Sequence, residues 1–214
     1  MANRSYLYST NIAPGPDAVA QGRKLVGISE YRYDIPIVFK LLLSGNPRTC
    51  PSSIWDSDGD IALMGDYETG LANLERFLAQ IRQPEAQPEI AAALAFLKNP
   101  ANRNPYFVLE CGEIFDMTNK PLPDQNLALL QSIRNLQPEL DAALQSLQPT
   151  AQAAPEPIAK PRPKGFLARL FGQADPTPPS KPAPRPMQAI HALGLGHWSN
   201  ILYFDFSGQQ PQNS

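Results

Sequence analysis

Charge is scarce in this sequence, and so is cysteine. Acidic and basic residues make up 18% of the 214 positions, with a formal balance of −2, where a globular domain carries roughly a quarter. A dedicated nucleic-acid binder presents a dense Lys/Arg surface, so that class is excluded. The two cysteines, Cys50 and Cys111, lie far apart and form no CxxC pair. That excludes a disulfide framework and leaves reduced thiols as the expectation. No run approaches the ~20 apolar residues of a membrane span; the longest apolar stretch, Ile37 to Leu43, is broken by Lys40. The opening Met1-Ala2-Asn3-Arg4-Ser5-Tyr6 lacks the apolar core of a secretory signal. Together these absences predict a soluble, cytoplasmic protein.

Apolar residues, at 43%, are abundant enough for a substantial core. The 24 prolines are about double the usual share. Eleven of them fall in residues 149–186, where six basic residues face two acidic ones, hence +4. The rest of the chain carries the other twelve basic and eighteen acidic residues, hence −6. A stretch of that composition is expected to be extended and poorly ordered. The division predicted is an α+β domain over 1–148, a basic Pro-rich linker over 149–186, a helix and strand over 187–208 that return to the main domain, and a tail over 209–214.

Within the domain, Arg4–Thr10 and Leu25–Tyr33 are rich in strand formers, and Pro14-Gly15-Pro16 marks a loop between them. Asp34 is placed to cap a short helix ending at Gly45-Asn46-Pro47. Ile61 to Met64 is a short strand. Leu71, Leu74, Phe77, Leu78 and Ile81 line one face of a helix over 68–82, and a second helix runs to Lys98. Pro105–Phe115 reads as a strand with a bulge at Gly112. Residues 124–147 read as a helix that Pro138 kinks or splits. His197–Phe206 is apolar and aromatic, and is expected to pair into the main sheet because leaving it in water would expose too much surface. The fold class predicted is a mainly antiparallel sheet packed by several helices, with the Pro-rich insertion before the last strand.

Several residues could carry chemistry. Asp56, Asp58 and Asp60 alternate in a DSDGD string and could face a hard cation, yet the sixth and twelfth places of an EF-hand loop are here Ile61 and Tyr67. The string reads as an acidic surface turn. Glu110 and Glu113 suggest an acid/base pair, but residues three apart on a strand point to opposite faces; only a bulge at Gly112 would join them. His191 and His197 have no ligand spacing and are expected to be partly buried. Cys50, before Pro51 in a loop, could be exposed; Cys111 reads as a core thiol. Gly194 and Gly196 read as a turn. No catalytic residue, metal ligand or cofactor is assigned.

Candidates for contact with a partner are clearer. Inside the Pro-rich stretch, residues 164–172 place Phe166, Leu167, Leu170 and Phe171 on one helical face beside Lys164 and Arg169. Such a segment docks on its own domain, on a foreign protein or on a membrane surface. Tyr31, Tyr33 and Trp55, with Tyr6, Tyr8 and Tyr67, suit a protein interface, where aromatic anchors carry much of the energy; in strands they are equally half-buried cross-strand pairs.

Met1-Ala2-Asn3-Arg4-Ser5-Tyr6-Leu7-Tyr8, the run from Tyr33 to Pro47 (YDIPIVFKLLLSGNP) and Leu202-Tyr203-Phe204-Asp205-Phe206 resemble an uncharacterised bacterial family. The resemblance implies a bacterial source and a relationship over the whole chain except the insert; it carries no activity. The expected function is therefore that of a non-catalytic protein that binds another protein, in the manner of an immunity partner that occludes a toxin. The alternatives are a small-molecule enzyme or metal-binding protein using the carboxylates above, and a membrane-surface adaptor acting through 164–172.

Overall fold

A computed structural model describes residues 3–147 and 186–206. The segment holding Phe166, Leu167, Leu170 and Phe171, and the tail, lie outside them. Five strands form one antiparallel sheet: β1 (Arg4–Thr10), β2 (Leu25–Arg32), β3 (Arg48–Cys50), β4 (Ala62–Asp66) and β5 (Tyr106–Glu110), in the spatial order β2-β1-β5-β4-β3. Alternation along the strands sorts their side chains. Leu7, Leu63, Phe107 and Leu109 face the helical side and belong to the main core. Tyr6, Tyr8, Ala62, Met64 and Val108 face the other side, as a period of two requires.

On the helical side lie α1 (Ile37–Leu43), α2 (Tyr67–Leu78), α3 (Gln87–Lys98), α5 (Leu122–Arg134), α6 (Gln137–Leu147) and α7 (Pro186–Ala192), with a short turn, α4 (Gly112–Phe115), directly after β5. Six of the seven residues of α1 are buried, Lys40 being the exception, which explains why the rest of its sequence is apolar. Tyr67, the first residue of α2, stacks on Phe107 with ring centroids 3.9 Å apart, and its hydroxyl donates to the Leu97 carbonyl at 2.8 Å. Asn126 of α5 donates to the carbonyls of Asp60 and Ala62, each at 2.9 Å, and so ties that helix to the start of β4.

Several expectations are corrected. β5 stops at Glu110: Cys111 leaves the extended region (φ −123°, ψ 12°), and Gly112 opens a helical turn instead of a bulge. The turn brings Gly112 against Trp55, where a Cβ would lie 2.8 Å from the ring. The break in 124–147 falls at Asn135-Leu136, and Pro138 occupies the first turn of α6, where its missing N–H costs nothing. Asp34 spends its carboxylate on the Ile35 N–H and leaves α1 without a side-chain cap. β3 was hidden in a turn-rich passage. Residues 197–206 make a single bridge, Ser29 to Trp198, and are otherwise irregular. They run along the β2 edge, where Ser199 N–H donates to Ile28 and the Asn200 amide to Gly27, and then cross onto the second face of the sheet.

α1 and α2 approach at Gly70, where a Cβ would overlap the Leu42 carbonyl. Alanine in a helix interior normally gains up to ~1 kcal/mol over glycine. Here the sign is expected to reverse: Gly70→Ala should lose about 2 kcal/mol through overpacking, read as a lower urea midpoint at unchanged slope.

Candidate functional site

The second face of the sheet is closed by two loops and the C-terminal strap. Tyr6 and Tyr8 project from β1, and Leu202, Phe204 and Phe206 lie over them with Trp55, Ile54 and Leu25 at the margin. The rings meet edge to face, Tyr6 with Phe204 at 5.2 Å and Trp55 with Phe204 at 5.6 Å, the arrangement aromatic quadrupoles favour. The Tyr8 hydroxyl donates to the Phe204 carbonyl at 2.8 Å. Tyr6, Tyr8 and Tyr67 are thus core residues, not interface anchors. Trp55 is half-buried against Gly112 and Tyr6.

Beneath this cover sits Glu110, opposite Tyr6 in one register and Ala62 in the other, and 0% exposed. Its Oε1 accepts the Ser53 N–H at 2.6 Å and its Oε2 the Ser52 hydroxyl at 2.7 Å. Arg23 reaches the same place, donating to the Ser53 hydroxyl at 2.9 Å. Burial raises the Glu110 pKa to about 7, against the opposing pull of Ser53, Ser52 and Arg23. This carboxyl is wholly enclosed. A run of apolar strand residues ending in Glu hid it, because nothing in sequence tells which partners fold over such a residue.

Glu113 lies elsewhere. The turn at Gly112 carries it to the start of β1, where its Oε2 accepts the Arg4 N–H at 2.8 Å. The Tyr6 hydroxyl is buried beside Arg4 and Glu113 without an aligned hydrogen bond, and burial pushes its pKa up. Asp56 and Asp58 are exposed, while Asp60 accepts the Thr49 hydroxyl at 2.8 Å. Among the described residues no cluster of His, Cys, Asp and Glu is arranged to hold a metal. Cys50 is buried, contrary to expectation, and burial raises both thiols. His191 and His197 are exposed, with rings 6.3 Å apart. Gly194 and Gly196 do form a turn, at φ 93° and 98°.

A second region is open. At the end of β2, Glu30, Tyr31 and Arg32 border a groove of about 580 Å³ whose other wall is His197, Trp198, Ser199 and Ile201. Tyr31 is half-buried against His197, and Tyr33 is 60% exposed. Tyr33 adopts φ 62°, a left-handed conformation that bulky residues rarely hold without a local reason. Its N–H donates to the Asn3 carbonyl. Next to Asn3, Arg4 pairs with Glu30 at 3.2 Å and lies over the Tyr203 ring at 5.1 Å. Ile201 and Tyr203 are 81% and 53% exposed. Tyr31 therefore lines this groove, Tyr33 follows two residues later along the chain, and Trp55 is on the closed face.

A family model matches residues 11–150. The chain belongs to DUF7822, a domain-of-unknown-function family. No curated protein and no solved structure matches it. No helix among the described residues of this DUF7822 member is long and apolar enough to cross a membrane.

The enclosed carboxyl has a consequence for stability. A folded-state pKa near 7 against an ordinary 4.5 means that the native state holds this proton to higher pH than the unfolded chain does. The stabilisation from Glu110 is full below about pH 4.5 and is lost as pH rises through about 7, amounting to about 3 kcal/mol. Glu110→Gln should remove that part of the pH dependence in urea titrations across this range.

Proposed function

We propose that this protein is a non-catalytic protein-binding protein, and that the partner contacts the aromatic end of the β1–β2 pair. The observation that carries the reading is the open groove between Glu30–Arg32 and residues 197–201, directly after which Tyr33 is held exposed in a left-handed backbone conformation. Strain of that kind collects where function demands a particular geometry. Ile201 in the wall of that groove and Tyr203 two residues on are large and exposed and supply the anchors that dominate interface energetics, and Glu30, Arg32 and Asp34 supply a charged border. The enclosure of Glu110 weighs against the enzyme alternative, because a general acid or base must reach its substrate.

The narrower form of the proposal is a bacterial, cytoplasmic, immunity-type partner that neutralises a toxin by occlusion. It rests on the acidic balance of the chain outside 149–186 and on the resemblance to a bacterial family.

Affinity capture of the tagged full-length chain from its source cells, with mass spectrometry, tests both levels. One stoichiometric partner is expected, and its identity decides the immunity form. The triple variant Tyr33→Ser, Ile201→Ser, Tyr203→Ser should bind that partner on the order of a hundredfold more weakly, while deletion of 149–186 should leave binding intact. Full retention by the triple variant would move the contact elsewhere, and capture of nothing would return weight to the enzyme alternative.

A further inference from the structure

The hydrogen bonds around Glu110 are those of an ionised carboxyl. A serine oxygen donates one hydrogen bond and accepts two. The Ser52 oxygen already accepts the N–H groups of Ile54 and Trp55, each at 3.0 Å. Its own hydrogen therefore goes to Glu110 Oε2 at 2.7 Å, and the Ser53 N–H goes to Oε1 at 2.6 Å. A proton on Oε2 would meet the Ser52 hydrogen head-on, and a proton on Oε1 would compete with Ser53. Turned away from both, it would have as its acceptor the Ser53 hydroxyl, which already takes the Arg23 N–H and must then turn its own hydrogen off the carboxyl. Yet the group is enclosed, and burial disfavours the ionised form. Hydrogen bonding and burial thus ask for opposite protonation states at one site.

The groups facing the carboxyl come from every element around it. Arg23, from the loop between β1 and β2, attracts the ionised form. Tyr8 of β1, Cys50 of β3 and Cys111 after β5 feel its charge; burial raises all three, so they stay neutral around pH 7. Asp60 and Lys40 act on the two thiols, Asp60 on Cys50 and Lys40 on Cys111. Tyr6 is the cross-strand neighbour. Glu110 is placed to change charge near neutrality.

The path outward is short. Ser52 holds the Trp55 N–H, and the Trp55 ring packs on Gly112, on Tyr6 and on Phe204 of the strap. We propose that Glu110 is a proton-operated latch: ionised, it pins Ser52 and Ser53 and seats Trp55 beneath the C-terminal strap; protonated, it gives up one of those bonds and Trp55 re-seats. The device is independent of the partner proposed above.

Trp55 and Trp198 are the two tryptophans of the chain, so Trp198→Phe isolates the reporter in the otherwise complete protein. Trp55 emission and its quenching by acrylamide, followed from about pH 5 to about pH 9, should trace a one-proton curve with a midpoint near 7. Glu110→Gln in the same background should give a flat response at the low-pH value. A flat curve in the parent, or an unchanged curve in Glu110→Gln, overturns the latch. Ser52→Ala keeps the test open if the Gln variant fails to fold. There the Glu110 carboxyl should still titrate by carbon-13 NMR while the Trp55 response disappears, and persistence of that response overturns the proposal.

Discussion

A carboxylate that loses all its water must regain the same bonding from the protein, or take up a proton. Glu110 regains two hydrogen bonds and the field of Arg23, and the loop from Ser52 to Trp55 takes its shape from making them. That loop places the Trp55 ring on Gly112, which in turn requires a residue with no side chain at the point where β5 gives way to a helical turn. Phe204 completes the cover against Tyr6 and Trp55. The aromatic lid excludes water from the carboxyl, and the carboxyl positions the lid. Neither would hold the observed geometry alone.

The opposite face is closed by different means. Helices α1 and α2 come close enough to the sheet and to each other that Gly45, Gly65 and Gly70 each have a backbone neighbour where a Cβ would stand. At these contacts the packing is dense, and farther from the sheet α1, α2, α5 and α6 border a groove of about 520 Å³. The two edges of the sheet end differently. One edge, β3, is three residues long, and Arg48 within it pairs with Asp66 and covers the Tyr106 ring, a charged ending that discourages strand addition. The other edge, β2, is covered along Gly27–Ser29 by residues 198–200. Beyond that cover Tyr33, Ile201 and Tyr203 are exposed.

Much of the fold was legible from local pattern. β1, β2, α1, α2 and α3 follow from alternation, helical periodicity and turn residues, because each element's own sequence decides its state. The misreadings share a different cause. The turn at Gly112 depends on Trp55, nearly sixty residues earlier in the chain, and β3 exists because β4 pairs with it. The strap was recognised as apolar chain that must return to the sheet, but its aromatic residues mattered as cover for a face and not as rungs of a ladder. The exposure of Tyr33 and the half-burial of Tyr31 suit the aromatic residues singled out at the end of β2, whereas the enclosure of Glu110 depends on three separate segments converging.

That convergence bears on where the family match begins and ends. It starts at residue 11, one residue after β1, and stops at 150, before the strap. Yet β1 lies between β2 and β5 and pairs with both. Without it, β2 would have no strand neighbour, and Glu110 would lose Tyr6 and Tyr8 as walls. Without 197–206, the second face would expose both tyrosines and the β2 edge would be bare. The matched segment therefore contains most of the helices but cannot by itself build the closed face or the groove. Both features arise where the two ends of the chain meet it, and the chemistry argued for Glu110 and for Tyr33 belongs to that junction.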